Sequence, residues 1–150
     1  MITIKRTNSE DNDFHLLVEK LNKDLLDRYG ALQDYYSRFN AIRDLPTVVV
    51  AYNDGQPVGC GCFNQFDDTS VEVKRMYVTN EQRGKGIGAA ILAELEKWAG
   101  ELQVGTIVLE TGTSQPEAIH LYGKMGYALI PNYGQYSGME TSICMKKELN

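Results

Sequence analysis

Apolar positions along this chain recur with two periods, and the period changes wherever turn residues fall. Ile2 and Ile4 alternate with Thr3 and Lys5, a short first strand. Phe14, Leu17, Val18, Leu21 and Leu25 then fall at helical spacing; Asp11, Asn12 or Asp13 is placed to cap that helix and Gly30 to end it. A second helical pattern, Leu32, Tyr35, Tyr36 and Phe39, runs toward Pro46, which forces the residue before it into an extended conformation. Residues 47–52 are β-branched and apolar, Asn53-Asp54-Gly55 is a turn signal, and residues 56–63 return as the second arm of a hairpin. Asp67-Asp68 makes another turn, and residues 71–78 give a third antiparallel strand.

Ile87, Ile91, Leu95, Trp98 and Leu102 mark the core stripe of a long helix. The apolar run 106–109 reads as a strand buried on both faces, and a strand–helix–strand crossover places it parallel to 71–78. Pro116 opens the last helix, where its missing N–H does no harm; Ala118, Ile119, Leu121, Tyr122 and Met125 follow, and Gly126 stops it. Residues 127–130 and 142–146 predict a closing antiparallel pair joined by a polar loop rich in Tyr and Gly. The expected class is α/β, or α+β by a stricter naming. An antiparallel meander comes first, one parallel βαβ unit second, and a final hairpin last.

Composition narrows the partners more than the fold. The 150 residues, 43% hydrophobic and 23% charged, suit one domain spanning 1–150 with one sizeable core. A net charge of -5 and a pI near 5.0 argue against nucleic acid as a partner, so a positive patch has to be local, with Arg83 and Lys85 the candidates. No apolar stretch approaches a membrane span and no signal pattern opens the chain. Cys60, Cys62 and Cys144 cannot all pair within the chain, so a reducing cytoplasm is expected. Cys60 and Cys62 share a strand face without a nearby His pair and read as small buried residues rather than zinc ligands. His15 and His120 read as helix-surface residues, with a proton relay through His120 left open by its closeness to Tyr122. An antiparallel edge would permit a homodimer.

The chemistry gathers at Arg83-Gly84-Lys85-Gly86-Ile87-Gly88, between a strand and a helix. Three glycines let backbone N–H groups approach a ligand with no Cβ in the way. Unsatisfied donors and the positive dipole end of a starting helix face the same point, and Arg83 and Lys85 add charge. This is a phosphate cradle. It is not a magnesium-dependent nucleotide loop, because no hydroxyl follows Lys85-Gly86. A dinucleotide turn would open the first βαβ unit with other glycine spacing and an acidic ribose ligand about 20 residues on.

A second motif lies downstream: Ala118-Ile119-His120-Leu121-Tyr122 with Gly126-Tyr127. With Arg83, Gly86 and Gly88 on an Arg/Gln-x-x-Gly-x-Gly/Ala signature, the tract 72–127 resembles the GNAT superfamily of acetyl-CoA-dependent N-acyltransferases. The resemblance implies that backbone N–H groups of Arg83, Gly84, Lys85, Gly86, Ile87 and Gly88, with Ala89 just beyond, hold the pyrophosphate of coenzyme A. It also implies that Met76, Tyr77 and Val78 pair with the pantetheine arm as an added strand, where the parallel strands splay. No metal is required.

Tyr122 then matches the tyrosine that protonates the departing thiolate, a phenol being protonated at neutral pH; it also reads as an aromatic on the helix's core face. Glu72 lies eleven residues before Arg83, a spacing at which some members of the family carry a general base; it also reads as a strand carboxylate paired with Lys74 or Arg75. Glu110 and Thr111 are the second choice. Gln115 stands where the family often has Asn, so its contact with the cofactor carries a longer arm and a changed geometry. Tyr29, Tyr35, Tyr36, Phe39, Tyr133 and Tyr136 would flank the acceptor pocket, with Asp34 or Glu140 available to a cationic substrate; Leu32, Tyr35, Tyr36 and Phe39 equally read as a helix's core stripe. The expected activity is transfer of an acetyl group from acetyl-CoA to an amine of a small molecule. Acetylation of a protein or peptide amine, and a non-catalytic acyl-CoA-binding domain, are the alternatives.

Overall fold

A computed structural model of the chain describes residues 1–30 and 44–149. The elements follow the periods of the sequence: β1 (Ile2–Thr7), α1 (Asn12–Tyr29), β2 (Val48–Asn53), β3 (Gln56–Gln65), β4 (Ser70–Val78), α2 (Ile87–Glu101), β5 (Thr106–Gly112), α3 (Pro116–Lys124), β6 (Ala128–Ile130) and β7 (Ser142–Glu148). Asp11 caps α1 by accepting from the backbone N–H of Asp13 and Phe14. Asp54 and Gly55, both at positive φ, turn β2 into β3 as two-residue hairpins require. The helical pattern at Leu32, Tyr35, Tyr36 and Phe39, with Asp34, lies outside the described residues.

Alternation along β2 and through Cys60–Phe63 of β3 buries the sheet on both faces. Val48, Val50, Cys60 and Cys62 pack with Phe14, Leu17 and Val18 of α1. Val49, Phe63, Val71 and Val73 pack on the opposite face with Ile91, Leu92 and Leu95 of α2. All three cysteines are free and buried, and burial pushes their thiols up, Cys62 to about 12. Among the described residues, no helix is long and apolar enough to cross a membrane.

The described strands form one seven-stranded sheet ordered β1-β2-β3-β4-β5-β7-β6. Only β4 and β5 are parallel, as the crossover through α2 demands. The last two strands do pair, yet β7 inserts between β5 and β6 and pairs with β5 from Thr106 to Gly112. That partner carries β5 past the four-residue run expected from apolarity alone.

Pairing of β4 with β5 runs from Ser70/Thr106 to Val73/Leu109 and stops, although both strands continue. On its other side β4 is irregular: Cys60 opposes Tyr77 and Cys62 opposes Lys74, so one residue of β3 faces two of β4. Arg75 takes up the extra residue at φ 59°, a left-handed value uncommon for a side-chain-bearing residue. The bulge swings the end of β4 away from β5 and opens a split in the sheet.

Candidate active site

The split continues into a cavity of about 610 Å³ lined by the last turns of α1, the end of β4, the glycine turn, the end of β5 and one side of α3. Its lining draws on both faces of the sheet. Ile87 and Tyr122 belong to the α2-side core. Glu72 and Lys74 sit opposite Asn64 and Cys62 of β3, on the face that α1 covers. Glu110, two residues beyond the Val108 that aligns with Glu72, shares that face.

At one mouth, Gly84 and Gly86 adopt φ of 81° and 80°, and a Cβ added at either would meet no protein atom within 4 Å. That space is where a ligand would stand. Gly86 is the N-cap of α2 and brings no capping side chain, so the first N–H groups of the helix are left to face outward. Gly88 is needed for a different reason: its Cβ would lie 3.2 Å from Leu121 Cδ2, so it lets α2 approach α3 closely. The Arg83 side chain folds back along β4, donating from Nε to the Val78 carbonyl at 3.0 Å with its guanidinium 5.7 Å from the Tyr77 ring centre. Its Nη atoms each lie 4.0 Å from a carboxylate, Asp24 of α1 and Glu117 of α3. Arg28 ties the same two carboxylates together and donates to the Ser114 carbonyl at 2.8 Å.

Beyond the split the cavity turns polar. The Glu72 residue is 6% exposed; its Oε2 accepts from the Tyr133 hydroxyl at 2.7 Å and its Oε1 faces Lys74 Nζ at 3.5 Å. Burial pushes the Glu110 carboxyl up to about 7, and the nearby Glu72 charge adds to this against a hydrogen bond from Ser142 and the charge of Lys74. Tyr122 is 5% exposed, and burial, then the Glu110 charge, hold its phenol well above the ordinary tyrosine range. The Tyr133 phenol is raised in the same way by burial and by Glu72. The loop carrying Tyr133 is pinned across this end: Asn132 Nδ2 donates to the Met139 and Ser142 carbonyls, and the Tyr133 ring meets Phe66 edge-on at 4.9 Å.

A profile of the acetyltransferase (GNAT) family matches residues 14–127. An IAA acetyltransferase of Azospirillum brasilense is 33% identical over 99% of this chain and 98% of its own length. The chain belongs to the GNAT acetyltransferase family. Its fold is shared by a Klebsiella pneumoniae protein classed as an acyl-CoA N-acyltransferase, at a TM-score of 0.83 and 28% identity over 100% of this chain and 99% of the other. PaiA N-acetyltransferase from Thermoplasma acidophilum, solved in complex with coenzyme A, superposes at 0.74 with 18% identity over 99% of each chain. Membership makes the chain an N-acetyltransferase with acetyl-CoA as its cosubstrate.

Of the positions that sequence reasoning singled out in this GNAT chain, Glu72, Met76, Tyr77, Val78, Arg83, Gly84, Gly86, Ile87, Gly88, Ala89, Gln115 and Tyr122 all line the one cavity, with Glu110 and Thr111. Lys85 is outside the lining, exposed, with Nζ donating to Gln82 Oε1 at 3.2 Å. Gln115 is half-committed: its Oε1 accepts from the Gly112 N–H and the Tyr29 hydroxyl, both at 3.3 Å, which fixes the entry to α3. Tyr29 and Tyr133 are drawn toward the site, and Tyr136 lines it. His15 and Glu140 are exposed and do not line the cavity, whereas His120 does. The sequence showed no sign of the Asp24–Arg28–Glu117 cluster around Arg83, because only the fold brings the Asp24–Arg28 pair of α1 to Glu117 of α3. Nor did it flag the bulge at Arg75, for which Gly61 opposite was the one available hint; a Cβ there would lie 2.5 Å from Met76 Sδ.

Proposed function

We propose that the chain moves the acetyl group of acetyl-CoA onto the amine of a small molecule by direct attack. The observation that carries the small-molecule reading is the Tyr133–Glu72 hydrogen bond. It pins the β6–β7 loop over the acceptor end of the cavity, where a protein or peptide substrate would need an open groove.

In this reading the first N–H groups of α2 and of the glycine turn bind the pyrophosphate, with Arg83 as the neighbouring cation. The edge of residues 76–78 that no longer pairs with β5 takes the pantetheine arm as a strand, and an N–H past the bulge donates to the thioester carbonyl as charge develops on its oxygen. Holding amine and thioester together in the split supplies much of the rate.

Two proton transfers remain. The attacking amine has to shed a proton, and of the two carboxylates Glu110 is the better placed to take it. Glu72, the position first favoured from spacing, already has one oxygen under the Tyr133 hydroxyl and the other facing Lys74. Glu110 is poised near neutrality, where a base is most effective. Glu72 then serves as the fixed charge that tunes Glu110 and orients the amine. Tyr122 gives its proton to the departing thiolate, since its raised phenol stays protonated throughout the neutral range.

A panel of small amines, amino acids and peptides, scored by acetyl-CoA-dependent thiol release, tests this assignment. Turnover is expected with small amines and not with lysine side chains in peptides of ten or more residues. Faster turnover of the peptides would replace the small-molecule reading with the protein one.

A further inference from the structure

Two lysines line the cavity, and they differ in kind. Lys124 stands exposed at the end of α3. Lys74 lies within: its side chain is 10% exposed, it directly follows Val73, the last residue of β4 that pairs with β5, at the root of the split, and its Nζ is 3.5 Å from Glu72. The lining around it also contains Glu110 and Tyr122, the groups assigned above to proton removal and thiolate protonation. An alkylamine beside a buried carboxylate, at the place where the thioester would arrive, is what the site is built to accept.

Resting on the acetyltransferase reading above, we propose that Lys74 is itself an acceptor, and that the chain acetylates its own Lys74 Nζ in cis when no amine substrate fills the chamber. The Nζ–C bond to the acetyl carbon forms as the thioester C–S bond breaks. The ammonium gives up two protons, one to the carboxylates and on to solvent before attack, and one after attack that replaces the proton Tyr122 hands to the thiolate, so acetyl-CoA and a lysine ammonium yield acetyl-lysine, coenzyme A thiol and a solvent proton. No other reactant is needed. The product is an uncharged amide that no longer pairs with Glu72, so the modified chain would carry an acceptor chamber one positive charge poorer and one acetyl group fuller. Self-modification would therefore slow later turnover of an external amine.

The test is incubation of the whole chain with acetyl-CoA and no amine, read by intact mass and by peptide mapping. Expected is the addition of one acetyl group per chain at Lys74, at a rate independent of protein concentration, blocked by an excess of the best amine from the panel and absent in Lys74→Arg. Pre-incubation with acetyl-CoA should lower the subsequent amine turnover of the wild type several-fold, while Lys74→Arg holds whatever rate it starts with. An unmodified Lys74 in a sample that binds acetyl-CoA and acetylates a panel amine overturns the proposal and leaves the acetyltransferase reading intact. So does acetylation spread over exposed lysines such as Lys85 and Lys97 at the same rate as Lys74. Failure to bind acetyl-CoA at all would overturn both.

Discussion

Tyr122→Phe lowers kcat about 10²–10⁴-fold, the range expected when a positioned general acid is lost, and leaves acetyl-CoA affinity within about twofold. The hydroxyl is the only group removed, and among the described residues it has no hydrogen-bond partner to leave stranded. Its ring keeps its place in the α2-side core and its edge contact with Tyr127, whose centre is 5.9 Å away. Stability should therefore change by less than about 1 kcal/mol, which separates an acid from a packing residue. Steady-state kinetics alongside a cofactor titration give the answer. Equal loss of kcat and of acetyl-CoA affinity would contradict the acid role.

Glu110→Gln has the second large effect, and it carries a pH signature. Burial beside Glu72 raises this carboxyl from 4.5 to about 7, so the base is half ionised near neutral pH and activity should climb through that value. The variant loses about 10²-fold or more in kcat/KM and the acid limb near pH 7 disappears from what remains. The stability effect has the opposite direction. A carboxyl held up in the folded chain binds a proton that the unfolded chain has released, so its contribution is present below about pH 4.5 and is lost as pH rises toward 7. Ionisation of Glu110 thus costs on the order of 3 kcal/mol at pH 8. Glu110→Gln should flatten that decline and melt above the wild type at pH 8, with the two converging near pH 5. An unchanged acid limb in the variant would move the base to another residue, with Glu72 the first to test.

These two residues mark where sequence stops being informative. The parts that follow from local chemistry were legible: the stripe of α2 from Ile87 to Leu95, the Asp11 cap, the Asp54-Gly55 hairpin and the glycine turn at the start of α2. Each rests on a period or a backbone preference contained in a few neighbouring residues. The parallel pairing of β4 with β5 was also legible, because handedness leaves a crossover few choices. Insertion of β7 beside β5 was not, since an apolar run does not announce which edge it will join.

The site divides along the same line. Glu72 and Glu110 look alike as strand carboxylates, and only tertiary placement distinguishes them. Tyr133, 61 residues from Glu72, supplies the hydrogen bond that holds one in place, and desolvation at the far end of β5 raises the other. The bulge at Arg75 was equally hidden. Arginine has no preference for positive φ, and the strain is maintained by Cys60 and Cys62, whose thiols donate to the Arg75 and Lys74 carbonyls at 3.4 and 3.3 Å. Without that bulge β4 and β5 would continue to pair, and the split would close.

Acetyl-CoA is expected to occupy this split with its pyrophosphate on the glycine turn. Calorimetric titration of acetyl-CoA into the wild type and into Gly86→Val tests it most directly. Valine at φ 80° costs about 1–2 kcal/mol of stability and puts its side chain into the open space before α2, so the variant should stay folded and lose affinity by about 10²-fold or more. Saturable one-to-one binding by the wild type, with that loss in the variant, is the result expected. Equal binding by both chains, or none by the wild type, would contradict it.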